Sequence, residues 1–415
     1  MKSATSNNKL HYGWVVAFGC HIMFFYSVGL TTGTFAVFLP YLINEINLTN
    51  AEGSSILSVL SLTGLLFMLI VSKIFKRFGI RWTVFVCGLL IAAGNYIFSE
   101  ANSLLGYYVA AVAIGIGFGG CSTIAVSILV STWFEKRRGT AVGIAFAGSG
   151  MAAILFSPVL TFIIENYGLA KAFLFQSVSV AVLSVVTFLL IRNAPEDKGV
   201  CAYGQNKNEL QTSERDVADS TGIIIKNVLR TKEYYIIMLA ILVLGAGVQP
   251  VVTHLPTFLI SVGYKPALAT SVVSIFGITM VFGKTIHGLV IDKLGGYVAN
   301  FIIFPLWLLT IALSFAVGKG IINCYLFAAL VGIGPALATV SLPIWVCDLF
   351  KKENYVTVLT SIQIALNLGS SIGMVLMGYL FDVTGTYRLA FGVTILFVTI
   401  AFICMQELYR KSYQM

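Results

Sequence analysis

Arg77-Phe78-Gly79 follows the second long apolar run of this sequence, and Lys293-Leu294-Gly295 follows the eighth, 216 residues later. One such pair among apolar runs could arise by chance, but five pairs in nearly constant register indicate an internal duplication. The other four pairs are Phe38-Leu39-Pro40 with His254-Leu255-Pro256, Gly115-Ile116-Gly117 with Gly332-Ile333-Gly334, Phe134 and Lys136 with Phe350 and Lys352, and Tyr167-Gly168 with Thr384-Gly385.

The composition predicts that lipid is the solvent for most of the chain. Of the 415 residues, 58% are apolar and only 10% are charged, against about 25% charged residues in soluble domains. A membrane-spanning helix needs about 20 apolar residues. Twelve runs meet this length, and we predict an all-α integral membrane protein with spans at 13–43, 54–74, 82–99, 104–132, 140–164, 170–192, 233–260, 267–291, 297–317, 321–349, 356–380 and 388–408.

One long polar segment, residues 193–232, separates the first six runs from the last six. We therefore expect two pseudo-symmetric six-helix halves, residues 1–192 and 233–415, joined by a cytoplasmic linker. Parallel repeats of this kind occur in transporters, whose substrate site lies near the midplane between the repeats.

Lysine and arginine are distributed very unevenly between the two sides of the predicted bundle. If the N-terminus is inside, 21 of them lie in inner segments and 4 in outer segments. Because cytoplasmic loops carry the excess of basic residues, both termini are predicted to be cytoplasmic in a cell membrane. The net charge of +9 therefore reflects orientation in the bilayer, and no nucleic-acid partner is expected.

Residues 288–295, Gly-Leu-Val-Ile-Asp-Lys-Leu-Gly, match the loop signature Gly-x-x-x-Asp-(Arg/Lys)-x-Gly. With six plus six spans, this resembles the major facilitator superfamily and implies its fold. The matching residues Gly288, Asp292, Lys293 and Gly295 are then expected to form a conformational loop. The first-half copy retains Arg77, Gly79 and Arg81 but has Ser72 and Lys76 where the signature has Gly and Asp. A latch that uses the acid is therefore expected only in the second half.

Three further segments resemble the monocarboxylate and oxalate–formate branch of that superfamily. They are His11-Tyr12-Gly13-Trp14, Trp133-Phe134-Glu135-Lys136-Arg137-Arg138-Gly139, and Pro195-Glu196-Asp197-Lys198-Gly199 with Tyr203-Gly204. The resemblance covers the whole chain and implies transport of an organic anion.

Lys284 is the only charged residue predicted to lie in the middle of a span. A charge there costs at least about 2.5–3.5 kcal/mol, so such residues usually face a polar cavity and have a function. The alternative, that its stem extends to Asp292, requires it to bridge roughly 12 Å of helix. Since no mid-span carboxylate is available, an anionic substrate is the natural counter-ion. The resemblance also places Lys284 where the branch carries a substrate-binding arginine.

The resemblance suggests further substrate contacts. Positions that are aromatic in oxalate-type members are small here, which implies a substrate bulkier than a two-carbon acid; they are Thr31, Thr32, Thr123, Ser149, Pro335 and Thr339. Gln363 and Asn367 share a face of span 11 and either bind substrate or join helices. The second cation of oxalate-type members is absent, since Ile362 and Gln363 occupy that region, so one carboxylate fits better than two. Met280, one turn before Lys284, stands where the monocarboxylate members have an acid. An ion pair between Lys284 and that acid therefore cannot serve as a proton switch here.

Three histidines, His287, His254 and His21, are candidates for a coupling proton because histidine titrates near physiological pH. The alternative for each is a hydrogen-bonded packing residue.

We therefore predict a secondary active transporter of an organic anion, best matched by a monocarboxylate, that works as a monomer by proton symport or anion exchange. A drug exporter of the same fold is the alternative, although such proteins usually need a membrane-embedded acid. A receptor ranks last. No catalytic motif is found, the seven cysteines show no CxxC pattern, and neither cofactor nor metal is expected.

Overall fold

The computed structural model describes residues 11–46, 50–204, 231–350 and 354–414. Six helices form its first half. α1 consists of Tyr12–Phe24, a π-helical segment Phe25–Gly33, and Phe35–Ile46. The others are α2 (Asn50–Phe78), α3 (Ile80–Glu100), α4 (Leu104–Gly120 and Thr123–Trp133), α5 (Arg138–Tyr167) and α6 (Leu169–Leu190).

The second half begins after a short 3₁₀ turn, Pro195–Lys198, and a linker whose residues 205–230 lie outside the described part of the chain. α7 consists of Lys232–Thr253 and Leu255–Ser261. The helix Pro266–Leu313 is divided at Gly295 into α8 and α9, and a 3₁₀ segment, Ser314–Lys319, follows. The remaining helices are α10 (Ile321–Val331, Pro335–Thr339 and Ser341–Leu349), α11 (Tyr355–Thr384) and α12 (Arg388–Gln414).

The twelve predicted spans are confirmed. Within the described ranges, eleven helical stretches are long and apolar enough to cross a membrane. One of them, Ile275–Lys319, is 45 residues long and runs through Gly295, whose backbone is not helical (φ 79°). That stretch therefore contains two spans, α8 and α9.

The duplication is visible in backbone torsions. Gly79 turns the chain from α2 into α3 with φ 77° and ψ 155°, and Gly295 turns it from α8 into α9 with φ 79° and ψ 163°. Only glycine adopts this conformation without a steric penalty. Gly168 and Gly385, each at the end of the penultimate helix of its half, also have positive φ. The same two tight turns recur at the same offset as the sequence repeat.

The two halves meet along α5 with α8 and along α2 with α11. The α5–α8 backbones approach very closely because glycines line the seam. A Cβ atom added to Gly288 would lie 2.2 Å from the Gly139 carbonyl oxygen, and one added to Gly143 would lie 2.6 Å from the Lys284 carbonyl oxygen. Small residues permit this close packing of membrane helices. The seam places Lys284 directly against α5.

The α4–α5 turn, Gly79 and Gly295 lie at one end of the bundle, which we call the basic end. The Gly139 amide donates to Asp292 and the Arg81 amide donates to the Asn193 side chain, and these bonds connect the loops there.

Candidate functional site

Lys284 is almost completely buried, with 2% of its surface exposed. Its Nζ donates hydrogen bonds to the Phe146 carbonyl oxygen (3.1 Å) and to Ser149 Oγ (2.7 Å), both on α5. It also lies 5.4 Å from the centre of the Phe24 ring on α1. The side chain therefore crosses from the second half into the first and does not extend toward Asp292.

The partners of this ammonium group are neutral. Two of its three N–H donors bind the oxygens named above, and no carboxylate of the described ranges pairs with it. The face of an aromatic ring attracts a cation by about 0.5–2 kcal/mol, so Phe24 offsets only part of the cost of burial. One of the three N–H donors of Lys284 therefore has no hydrogen-bond partner among the described residues.

Of the three predicted histidines, His21 binds the same turn of α5 as Lys284. Its Nδ1 lies 2.7 Å from the Ile144 carbonyl oxygen, on the turn of α5 that also presents Phe146 to Lys284. His21 and Lys284 thus approach α5 from opposite halves of the protein.

The other two histidines lie at different places. His287 is buried, and its Nε2 lies 2.7 Å from Ser341 Oγ on α10. His254 stands at the break of α7, where its Nδ1 lies 3.2 Å from the Tyr387 hydroxyl. Neither histidine makes a hydrogen bond to the Lys284 cluster.

Among the predicted small polar residues, the structure brings only Ser149 to Lys284. Three threonine hydroxyls, those of Thr31, Thr32 and Thr339, donate to carbonyls four or five residues earlier in their own helices, at 2.7–3.1 Å. Thr123 is buried at the first turn of the second α4 segment. These bonds satisfy the hydroxyl protons, while the oxygens keep acceptor capacity.

Gln363 and Asn367 have different environments although they share a face of α11. Asn367 Nδ2 lies 3.4 Å from Met68 Sδ on α2 and so joins the two halves. Gln363 is buried, and its Oε1 has no hydrogen-bond partner within the described ranges. A buried acceptor without a partner is costly and unusual in a native protein.

The second-half loop binds the start of α5. Asp292 accepts hydrogen bonds from the backbone amides of Gly139 (2.9 Å) and Thr140 (2.7 Å) and from the Thr140 hydroxyl. A carboxylate at a helix N-terminus typically contributes about 0.3–1 kcal/mol. Lys293 is exposed beside it. The loop signature identified Asp292, but its partners on another helix could not be read from the signature.

In the first-half loop, Ser72 Oγ lies 3.3 Å from Thr360 Oγ1 of the second half, whereas Arg77 and Arg81 contact their own half. The Arg77 guanidinium lies 5.4 Å from the centre of the neighbouring Phe78 ring. Arg81 donates through Nε to the Phe188 carbonyl oxygen at 2.9 Å and lies 4.0 Å from the centre of that ring. With Lys76 in the position that corresponds to Asp292, the two loops have different chemistry.

The sequence pattern that defines the Major Facilitator Superfamily matches residues 18–318 and 263–412. The chain belongs to this family. It is a multi-pass membrane transporter, and the predicted fold is confirmed by two solved structures. A proton:xylose symporter, XylE, bound to 6-bromo-6-deoxy-D-glucose aligns with a TM-score of 0.76 and 13% identity over 95% of each chain. The transporter FucP in an outward conformation gives 0.68 and 16% identity, over 95% of this chain and 98% of FucP.

Curated relatives place the chain near the monocarboxylate transporters, as the sequence motifs indicated. Monocarboxylate transporter 12 of Xenopus laevis is 26% identical over 293 residues, which are 68% of this chain and 63% of that protein. The match therefore spans less than two thirds of the Xenopus laevis protein. Monocarboxylate transporter 12 of Mus musculus is 24% identical over 417 residues, 92% of this chain and 82% of the relative.

Ser149→Ala is expected to destabilise the protein only while Lys284 is present. Loss of the Oγ acceptor leaves a buried ammonium with one hydrogen bond fewer, which costs about 1–3 kcal/mol. In a Lys284→Met background the same substitution should have almost no effect. The measurement is the melting temperature of all four proteins in detergent. Equal shifts from Ser149→Ala in both backgrounds would show that the hydroxyl does not stabilise the ammonium. Ser157→Ala, a buried serine on the same helix, is the matched control.

Proposed function

We propose that this protein carries an organic anion, a monocarboxylate, across the cell membrane by alternating access, and that Lys284 binds the carboxylate. One observation carries the proposal: a buried ammonium at the junction of the halves holds only neutral partners among the described residues. A charge in an apolar interior is stable when it is paired. A bound carboxylate would provide that pairing through the N–H donor that remains.

The number of charges favours one carboxylate over two. In the spans that the structure describes, Lys284 is the cation that faces the junction of α1, α5 and α8. The Ser149 hydroxyl lies beside it and can turn its proton toward a substrate oxygen, because at 3.2 Å its present bond to the Phe146 carbonyl is long. The Phe24 ring lies 5.4 Å from the ammonium and 4.7 Å from the Phe146 ring, so apolar groups flank the charge.

The position of Lys284 also explains how an anion can influence the two halves. Its stem belongs to α8 in the second half, whereas its hydrogen-bond partners belong to α5 in the first. A carboxylate that draws the ammonium away from Phe146 and Ser149 replaces a bond between the halves. Substrate binding then alters the balance between the arrangements of the halves, as alternating access requires. We place the basic end and both termini in the cytoplasm and expect the monomer to be the working unit.

Lys284→Gln should reduce uptake of labelled monocarboxylates at least tenfold, because a neutral amide offers a carboxylate no opposite charge in a buried site. The measurement uses protein reconstituted in liposomes and a panel of short, aromatic and steroidal carboxylates. Lys265→Gln, at an exposed lysine, is the control and should transport as the wild type does.

Undiminished carboxylate uptake by Lys284→Gln would contradict the proposed site. Transport of lipophilic cations by the wild type, with no carboxylate transport, would support the drug-exporter alternative instead.

We assign the coupling proton to His21 because its ring binds the same turn of α5 as Lys284 does. Histidine titrates near physiological pH. A carboxylate bound at Lys284 brings a negative charge to this turn and favours protonation of the His21 ring. Substrate and proton would then bind together, which is the requirement for symport.

His21→Asn should abolish the stimulation of uptake by an inward proton gradient and leave anion–anion exchange active, because exchange needs no net proton movement. His254→Asn is the matched control and should retain the stimulation. The measurement compares uptake with and without a pH gradient, and exchange with internal substrate. A His21→Asn protein that still responds fully to the gradient would overturn this assignment and return His287 and His254 to consideration.

A further inference from the structure

The first residues after the 3₁₀ turn of the linker pair with the α4–α5 turn. The Tyr203 amide donates to the Trp133 carbonyl oxygen (2.8 Å), and the Tyr203 carbonyl accepts from the amides of Glu135 (3.0 Å) and Lys136 (3.1 Å). These bonds form an isolated parallel bridge between Phe134 and Tyr203. Residues 201–204, which we call the strap, are thus fixed to the turn by backbone contacts.

Side chains fix the strap a second time. The Tyr203 ring packs against the rings of His11, Trp14 and Phe134 at centroid distances of 5.4–5.8 Å. His11 Nε2 lies 3.1 Å from the Cys201 carbonyl oxygen. Aromatic contacts at such distances contribute about 0.5–1.5 kcal/mol each beyond area burial. The strap therefore holds the start of α1 and the α4–α5 turn together.

The turn that the strap holds leads directly into the amides that bind Asp292. Arg137, next along the chain, has a left-handed backbone (φ 58°) and caps α5, which is uncommon for a residue with a side chain. Gly139 and Thr140 then present their N–H groups to Asp292 of the second half. The direction of these N–H groups depends on the backbone of the preceding turn.

We propose that the strap is a positioning element for the contact that closes the basic end. Docked on the turn, it holds the N-terminus of α5 in the orientation that Asp292 requires, and so stabilises the arrangement in which α5 and α8 are latched. Tyr203 acts through the turn and does not touch Asp292 or Lys284.

The basic end contains its own reporter of this contact. Cys347 lines a cavity of about 480 Å³ together with Arg138, Asp292 and Asp348. The Arg138 guanidinium donates to Cys347 Sγ at 3.1 Å and so covers the thiol from the first half. Cys347 is partly exposed, and separation of the halves at this end removes Arg138 and exposes the thiol further. This readout requires no knowledge of the substrate.

The test measures the rate of maleimide labelling of Cys347 in a full-length variant whose other six cysteines are replaced by alanine. Asp292→Asn and Tyr203→Ala should each raise the rate by up to about fivefold, the effect of losing one helix-terminal carboxylate contact. The double variant should be no faster than the faster single variant, because both substitutions release the same contact. Tyr235→Ala, at an exposed aromatic residue of α7, is the control.

Gly204→Ala alters the strap and leaves its aromatic side chains in place. This variant tests the proposal if Tyr203→Ala does not fold. Gly204 has φ 90°, and a Cβ atom there would lie 2.6 Å from Lys136 Cβ. Labelling of both strap variants at the wild-type rate, or effects that multiply with that of Asp292→Asn, would overturn the proposal. A loss of carboxylate binding by Lys284 variants would not bear on it, so the two proposals fail separately.

Discussion

A single buried ammonium group, that of Lys284, is the constraint on which the functional centre depends. It belongs to one half of the protein and is bonded to the other, within a seam where two helix backbones are in contact. Burial of a charge without an opposite charge is costly, and neutral oxygens and an aromatic face offset only part of that cost. We therefore propose this site for an anion, and an anion bound there would change how the halves meet.

The packing of the helices determines where the charge of Lys284 lies. Glycine turns at Gly79 and Gly295 repeat the same backbone geometry in each half and set the paths of the helices that follow. Glycines on both sides of the α5–α8 seam bring Lys284 within reach of α5. At the basic end the same pair of helices is fastened by Asp292 on the amides of Gly139 and Thr140. The halves share a scaffold but differ in chemistry, since lysine replaces the acid in the first-half loop.

Much of the fold could be predicted from the sequence because the signals depend only on the order of residues along the chain. Apolar run length gives the twelve spans, and the constant offset of short repeats gives the duplication. Lys284 stands out because charges are rare in such runs. The partners of Lys284 could not be predicted, since they depend on the rotation and crossing of separate helices. For the same reason nothing in the sequence distinguished the three histidines, of which His21 binds the turn of α5 that also binds Lys284.

The small polar residues show a second limit of prediction from the sequence. Thr31, Thr32 and Thr339 are predicted to contact substrate, and in the structure their hydroxyls donate to carbonyls of their own helices. A threonine in a helix commonly makes this bond, and its oxygen can still accept a hydrogen bond, so their contact with substrate stays a prediction. The contact of Tyr203 with the α4–α5 turn could not be predicted from the sequence either, because the two segments are far apart along the chain.

The role of Lys284 is tested most directly by a structure of the protein with a bound monocarboxylate. A carboxylate oxygen is expected about 2.7–2.9 Å from Lys284 Nζ, the distance of a charge-assisted hydrogen bond, with at least one of the bonds to Phe146 and Ser149 lengthened. A carboxylate bound elsewhere, with Lys284 still held by Phe146 and Ser149 alone, would contradict it.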